Sequence, residues 1–344
     1  MSSPLSTLRY FQASLLAGKA LSPDETGELF LALQDEALDE SIIAATLTAW
    51  RDKGATVDEI HSLVKIMRER ARRIESRHPV FIDTAGTGAS KIKTFNVSTA
   101  AAFLIAGAGV PVAKHGNRAA TSSSGSADVI AELGVKLDVS PEKARACLDD
   151  IGICFMFAPH FHSLSPKLGK VRRSLGFPTI FNMVGPLCNP AGAPHQIMGV
   201  WDESIIGKVS ETFAKLGTSR TWVIHGSDGL DEITLSGATH ISEITDGEIH
   251  QRQITPADFG LESETIEGLS KLSPAESANL IRAILSNECE STAAQNLVLI
   301  NAAAAIYIAG AATDLKAALA AASASIESGA ALAKLHDLAK ATNQ

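Results

Sequence analysis

The feature that most constrains this chain is the exchange of short apolar runs with helical patterns that begins at Val80. VFIDTAGTGAS (80–90) is an apolar strand running into a Gly-rich turn. Further strand-like runs follow at 109–113, 151–157, 196–201 and 221–225. Between them lie helical patterns at 126–133, at 140–148 (opening Ser-Pro-Glu) and at 204–216, with Gly217 as a stop. Such alternation predicts an α/β domain around a mainly parallel sheet. Ligands of such sheets sit at the carboxyl ends of the strands. Residues 235–265 read as short strands with turns, ITDGE being a hairpin signal. From about Ser273 the chain is helical and Ala-rich and is expected to pack over the sheet.

Residues 1–78 have a different texture. Leu5, Leu8, Phe11 and Leu15 share a helical face that Gly18 can end. Ser22-Pro23-Asp24-Glu25 and Thr56-Val57-Asp58-Glu59 are capping boxes, each opening a further amphipathic helix, with another at 39–53 between them. A small helical bundle with an apolar face left over predicts a homodimer. The domain division expected is a helical domain at 1–78, joined by part of 160–195, and an α/β domain at 79–344.

The 344 residues suffice for one large or two ordinary domains, and 45% hydrophobic residues can build a core. A net charge of −8 without a long basic run argues against nucleic-acid partners. The four cysteines are scattered with no CxxC, which suits reduced thiols in a cytoplasmic protein. No signal peptide is expected, and the apolar stretch 297–312, with Asn301 inside it, reads as a buried helix rather than a membrane span.

Chemistry concentrates in three places. KHGNRAATSSSGSAD (114–128) follows the apolar run 103–112 and reads as a functional loop at the end of a buried strand, feeding a helix N-terminus. Its hydroxyls, backbone N–H groups, Lys114 and Arg118 suit phosphate. Gly86-Thr87-Gly88, with Asn96, Ser98 and Thr99 close to the next helix start, is a second such loop. Two hydroxyl-rich loops suggest one ligand with phosphate at both ends. Asp231-Glu232, at a strand-end turn, suits Mg²⁺ held alongside phosphate oxygens. Either Arg172 or Arg173 can clamp a carboxylate, and sequence alone does not choose. His160 and His162 read as structural, and His115 as a loop hydrogen-bonding residue. With no GxSxG and no trusted Cys/His set, the parts suit electrostatic and metal-assisted transfer rather than covalent catalysis.

Taken together, DTAGTG, TFNVST, KHGNRAATSSSGSAD, VRRSLGFPTIFNMVGPLCNPA, HGSDGLDE and VLINAAAAIYIAG resemble anthranilate phosphoribosyltransferase over nearly the whole chain. The resemblance implies a class III phosphoribosyltransferase or nucleoside-phosphorylase-like fold, a homodimer through the helical part, and Mg²⁺ as cofactor. It implies contacts to phosphoribosyl diphosphate from Gly86, Ala89, Ser90, Thr94, Asn96, Val97, Ser98 and Thr99 in the first loop. In the second it implies Lys114, His115, Gly116, Asn117, Arg118, Ala119, Ala120, Thr121, Ser122 and Ser126. Gly86, Asn117 and Arg172 would meet anthranilate, and Ser98, Asp231 and Glu232 the metal. The family loop reads GTGGD where this chain has Gly86-Thr87-Gly88-Ala89-Ser90, so shifted donor and Mg²⁺ dependence is expected. A nucleoside phosphorylase, a non-catalytic nucleic-acid-binding relative, and a transferase acting on another aromatic amine are the rival readings.

Overall fold

The computed structural model describes residues 4–90, 92–118, 124–270 and 272–344. Four helices open it: α1 (Pro4–Leu16), α2 (Pro23–Ala32), α3 (Glu40–Lys53) and α4 (Val57–Glu69). Both capping boxes form, with Ser22 accepting from the Glu25 N–H and Thr56 from the Glu59 N–H. Glu59 does more than cap. Fully buried, it accepts from the Leu21 N–H, Trp50 Nε1, Lys53 Nζ and the Thr56 N–H at 2.7, 3.1, 2.9 and 2.9 Å. A buried carboxylate with this many donors is satisfied and ties three helices together.

The α/β part runs β1 (Ile82–Gly86), α5 (Val97–Gly107), β2 (Val112–Gly116), α6 (Ser126–Glu132), α7 (Pro141–Ala146) with a π turn at Cys147–Ile151, and β3 (Ile153–Phe157). There follow α8 (Ala158–Phe161), α9 (Pro166–Leu175), α10 (Ile180–Leu187), β4 (His195–Gly199), α11 (Ile206–Leu216) and β5 (Arg220–Gly226). The hairpin β6 (Thr239–Thr245) and β7 (Glu248–Ile254) turns at Asp246-Gly247, both at positive φ. The tail is α12 (Pro274–Leu285), α13 (Thr292–Ile308), α14 (Leu315–Glu327) and α15 (Ala330–Asn343).

Among the described residues the strands form one seven-stranded sheet in the order β3-β2-β1-β4-β5-β6-β7. Strands β3 to β5 are mutually parallel, and β6 and β7 are antiparallel. The mainly parallel α/β fold expected from the sequence is therefore present. Strand side chains alternate between two cores. Ile197, Trp222, Ile224 and Ile241 pack with α5, α6 and α12–α15. Met198, Val200, Val223 and Ile244 pack with α1–α4 and with α9–α11. Helices α9 and α10 thus share a core with the N-terminal bundle, and Arg68 Nε bonds the Leu187 carbonyl at 2.8 Å across that join. No helix among the described residues is long and apolar enough to cross a membrane.

One expectation is corrected. The run 103–112 is not a single strand: its first half completes α5, Gly109 turns at φ +91°, and β2 begins only at Val112. Pairing with β3 then continues to Gly116↔Phe157, so Lys114, His115 and Gly116 belong to the strand and not to the loop. An apolar run alone does not separate buried helix from buried strand.

Candidate active site

Strand β1 lies between β2 and β4, and the chain winds outward from it in both directions. That reversal opens a crevice at the carboxyl ends of β1 and β4. Gly86 and Gly199 face each other there in register. A Cβ on Gly86 would stand 2.8 Å from Asp231 Oδ2, and one on Gly199 would run into the Asp231 carbonyl. The two glycines therefore let the acidic turn between β5 and β6 come down onto the strand ends. The Gly88 N–H donates to Asp231 Oδ2 at 3.1 Å. From the other side Asn301 of α13, nearly fully buried, holds the next residue: Ile233 N–H donates to its Oδ1 at 2.9 Å and its Nδ2 donates to the Ile233 carbonyl at 3.0 Å.

Glu232 reaches the start of α5, where the Ser98 N–H donates to it. Burial and the neighbouring Asp231 push Glu232 up to about 8, against the pull of Lys114 and the Ser98 N–H. Lys114 is buried, with Nζ 2.5 Å from the Thr84 carbonyl and 3.3 Å from Ser98 Oγ. Burial draws its ammonium below the ordinary lysine value, while Asp83 and Glu232 oppose the shift. Asp83 lies fully buried beneath, accepting from Asn189 Nδ2 at 2.7 Å and the His115 N–H at 3.2 Å. Burial raises it to about 6. Thr84, Ser98, Glu232 and Asn301 line one small cavity.

Strand β2 carries the opposite wall. The His115 and His162 rings meet edge to face, centroids 5.0 Å apart, and Nε2 of each is buried without a hydrogen-bond partner. Burial holds His115 well below the ordinary histidine value, with His162 adding to the shift and the Gly185 carbonyl opposing it. Burial likewise lowers His162, against the carbonyls of Cys188 and Met67. Arg172 of α9 lies 4.9 Å from the Phe181 ring centroid, and its buried Nε makes no hydrogen bond. Burial lowers it to about 10, so it stays charged. Arg173 is exposed, which separates the two arginines. A half-buried guanidinium whose buried Nε has no partner suits an anion.

The remaining sequence-derived residues fall as follows. Asn96 caps α5 by position and receives the Ser124 hydroxyl at 2.8 Å. Val97 and Thr99 are buried, and the Val97 N–H is spent on the Phe95 carbonyl. Thr94 bonds the Phe95 carbonyl through its hydroxyl. Ala89 is half-buried, and Ser90 donates to the Ile92 carbonyl at 2.7 Å. Gly116 is needed as glycine, since a Cβ would meet the Phe155 ring at 2.8 Å. Asn117 is exposed, and Arg118 pairs with Asp128 at 2.8 Å. Ser126 points at the Asn117 carbonyl, 3.4 Å away. Ala119, Ala120, Thr121 and Ser122 lie outside the described residues. Sequence reasoning gave no site role to Asp83, Asn189 or Asn301. Only their polarity inside apolar context marked them. A separate cavity of about 300 Å³, between α11 and β6 and lined by Glu203, Ile206, His240 and Gln253, contains none of the site residues.

Among the described residues no group of three His, Cys, Asp or Glu side chains can hold a metal ion alone. Two adjacent carboxylates, one pushed up by the other in a half-buried pocket, nevertheless suit a hard cation that brings oxygen ligands with it. The residues present fit Mg²⁺ bound together with a phosphorylated ligand.

Comparison with known proteins assigns the family. Residues 78–332 match the glycosyl transferase family a/b domain, and residues 11–71 its helical bundle domain. The chain is 45% identical to the anthranilate phosphoribosyltransferase of Moorella thermoacetica over 323 residues, 94% of this chain and 95% of that one. It is 44% identical to that of Anaeromyxobacter dehalogenans, covering 96% and 97%. The crystal structure of the Thermus thermophilus enzyme superposes with a TM-score of 0.88 at 34% identity, covering 97% of this chain and 99% of that one. The Saccharomyces cerevisiae enzyme in complex with PRPP and Mg superposes at 0.89 with 27% identity, covering 98% of each chain. The chain belongs to the anthranilate phosphoribosyltransferase family.

Proposed function

We propose that this chain transfers the phosphoribosyl group of phosphoribosyl diphosphate to the amine of anthranilate, releasing diphosphate, in tryptophan biosynthesis. The observation that carries the reading is the meeting of the α5 N-terminus, Lys114 and the Asp231-Glu232 turn at one switch point. A donor with phosphate at each end fits such a site. The loop after β1 and the α5 N-terminus take the diphosphate, and the 117–126 segment takes the 5′ phosphate. Arg172 takes the anthranilate carboxylate, and the neutral rings of His115 and His162 offer hydrogen bonds to the aromatic amine.

In the reaction the bond from ribose C1 to the diphosphate oxygen breaks and its electron pair leaves with diphosphate. The amine lone pair forms the new bond, and the arylammonium then gives its extra proton to solvent. No strong base is required, because an arylammonium is acidic enough to lose its proton to water. Positive charge facing the leaving group and alignment of the amine are the chain's task. Asp231, Glu232 and Ser98 would hold Mg²⁺, which would supply electrostatic stabilisation of the leaving diphosphate.

A homodimer through α1 and α2 completes the reading, supported by the exposed Leu5, Tyr10, Leu16 and Leu31. So does a cytoplasmic location, supported by unpaired cysteines. The test mixes chain, anthranilate, phosphoribosyl diphosphate and Mg²⁺ and follows the loss of anthranilate fluorescence together with pyrophosphate. Both change in step on this reading, and Asp231→Asn slows them by about tenfold to a hundredfold. Phosphorolysis of a nucleoside with no pyrophosphate released favours the phosphorylase instead.

A further inference from the structure

The connection from β1 to α5 holds no carboxylate between 87 and 96 but includes two lysines, Lys93 and Lys91, the latter outside the described residues. Lys93 Nζ donates to the Gly88 carbonyl at 2.5 Å, and the Gly88 N–H donates in turn to Asp231 Oδ2. Two hydrogen bonds thus link an ammonium to the acidic turn. The link is braced at every point. Asp231 sits in the space that Gly86 and Gly199 leave open. Ser90 closes the loop on Ile92, Thr94 bridges antiparallel to Ser270, and the Phe95 N–H bonds the Leu269 carbonyl at 3.1 Å. Phe95 itself is buried in the sheet core. Lys93 is half-buried beside Gly88, so solvent and salt screen its charge less than they would a fully exposed lysine's.

We propose that Lys93 sets the metal and donor requirements of this site: its ammonium offsets the charge of Asp231 and faces the diphosphate. The chain itself then supplies positive charge that a divalent ion otherwise brings. This role has a signature that simple structural damage lacks. Removing the ammonium strengthens metal binding, because a repelling charge is gone, and weakens donor binding, because an attracting one is gone.

The inference rests on the phosphoribosyl-transfer reading, but one arm of its test needs no turnover. Lys93→Gln and Lys93→Arg are compared with the native chain, using Mn²⁺ as the Mg²⁺ probe with saturating phosphoribosyl diphosphate and no anthranilate, and electron paramagnetic resonance to count the ion held by the protein. Lys93→Gln is expected to bind Mn²⁺ about threefold to tenfold more tightly and to show a similar rise in the KM for phosphoribosyl diphosphate. The anthranilate KM stays within about twofold, the melting temperature within about 2 °C, and Lys93→Arg restores both changes. Mn²⁺ binding that is unchanged or weaker in Lys93→Gln overturns the proposal, as do equal rises in both KM values. Chains that bind no Mn²⁺ in either form overturn it too. A native chain that never releases pyrophosphate sinks the transfer reading alone, since the Mn²⁺ arm still decides the role of Lys93.

Discussion

Asp83 is the side chain on which the polar groups beneath the crevice converge. Asn189 and the His115 N–H bond it directly, and Lys114 faces it electrostatically. Its carboxyl stands at about 6 instead of 3.8, so between those values the folded chain holds a proton that the unfolded chain has released. A folded-state pKa that is raised makes stability fall as pH rises through the window from about 4 to 6. The whole effect is at most about 3 kcal/mol. Denaturant titrations at several pH values should show Asp83→Asn flattening this slope relative to the native chain. Arg172 belongs to the same scale. Its Nε finds no partner in the chain, so a substrate carboxylate gains the full value of a charged hydrogen bond. Arg172→Ala should raise the anthranilate KM by about tenfold to a hundredfold and leave the donor KM nearly unchanged. Equal effects on both, in steady-state kinetics, would contradict the assignment.

Among elements, the ends of β1 and β4 matter most, because they decide whether the acidic turn can descend. Gly199 has no spare volume, as a methyl group there meets the Asp231 backbone. Gly199→Ala should cost about 2–3 kcal/mol in denaturant unfolding and lower kcat/KM by roughly a hundredfold, because the turn must move. Gly207 on α11 is the contrast. Nothing lies within 4 Å of its absent Cβ, and its conformation is helical. Gly207→Ala should stabilise the chain by about 0.5–1 kcal/mol without changing turnover. Helix α13 shows why its Ala-rich stretch carries one polar residue. Its buried alanines let it lie close to the sheet, and Asn301 then reaches the peptide of Ile233.

At the scale of the molecule, two cores flank one sheet, and the crevice lies where helices of the second core reach the strand ends. The described residues proposed for the site lie on or beside β1, β2, α5, α6, α9 and the turn between β5 and β6, and none of them is on α1 or α2. Of the six large exposed apolar side chains among the described residues, four lie on α1 and α2, with Leu16 at 71% exposure. Leu16→Asp should convert a dimer to monomer in sedimentation velocity while keeping activity per chain within about twofold. A native chain that sediments as a monomer would remove the dimer.

The order of elements was legible in the residues because capping boxes, glycine stops and apolar periodicity act within a few positions of each other. Ser22-Glu25, Thr56-Glu59 and Asp246-Gly247 report turns and helix starts without any distant partner. The polar loops and the Asp231-Glu232 doublet were legible for the same reason. What only the tertiary structure decided is everything that depends on contact across the chain. It ended β2 beyond His115, set His115 against His162, sheltered Arg172 more than Arg173, and closed Asp83 with Asn189 and Ile233 with Asn301. These pairs lie tens of residues apart. Only packing can exclude water between them, and only that exclusion gives their charges and unpaired nitrogens force.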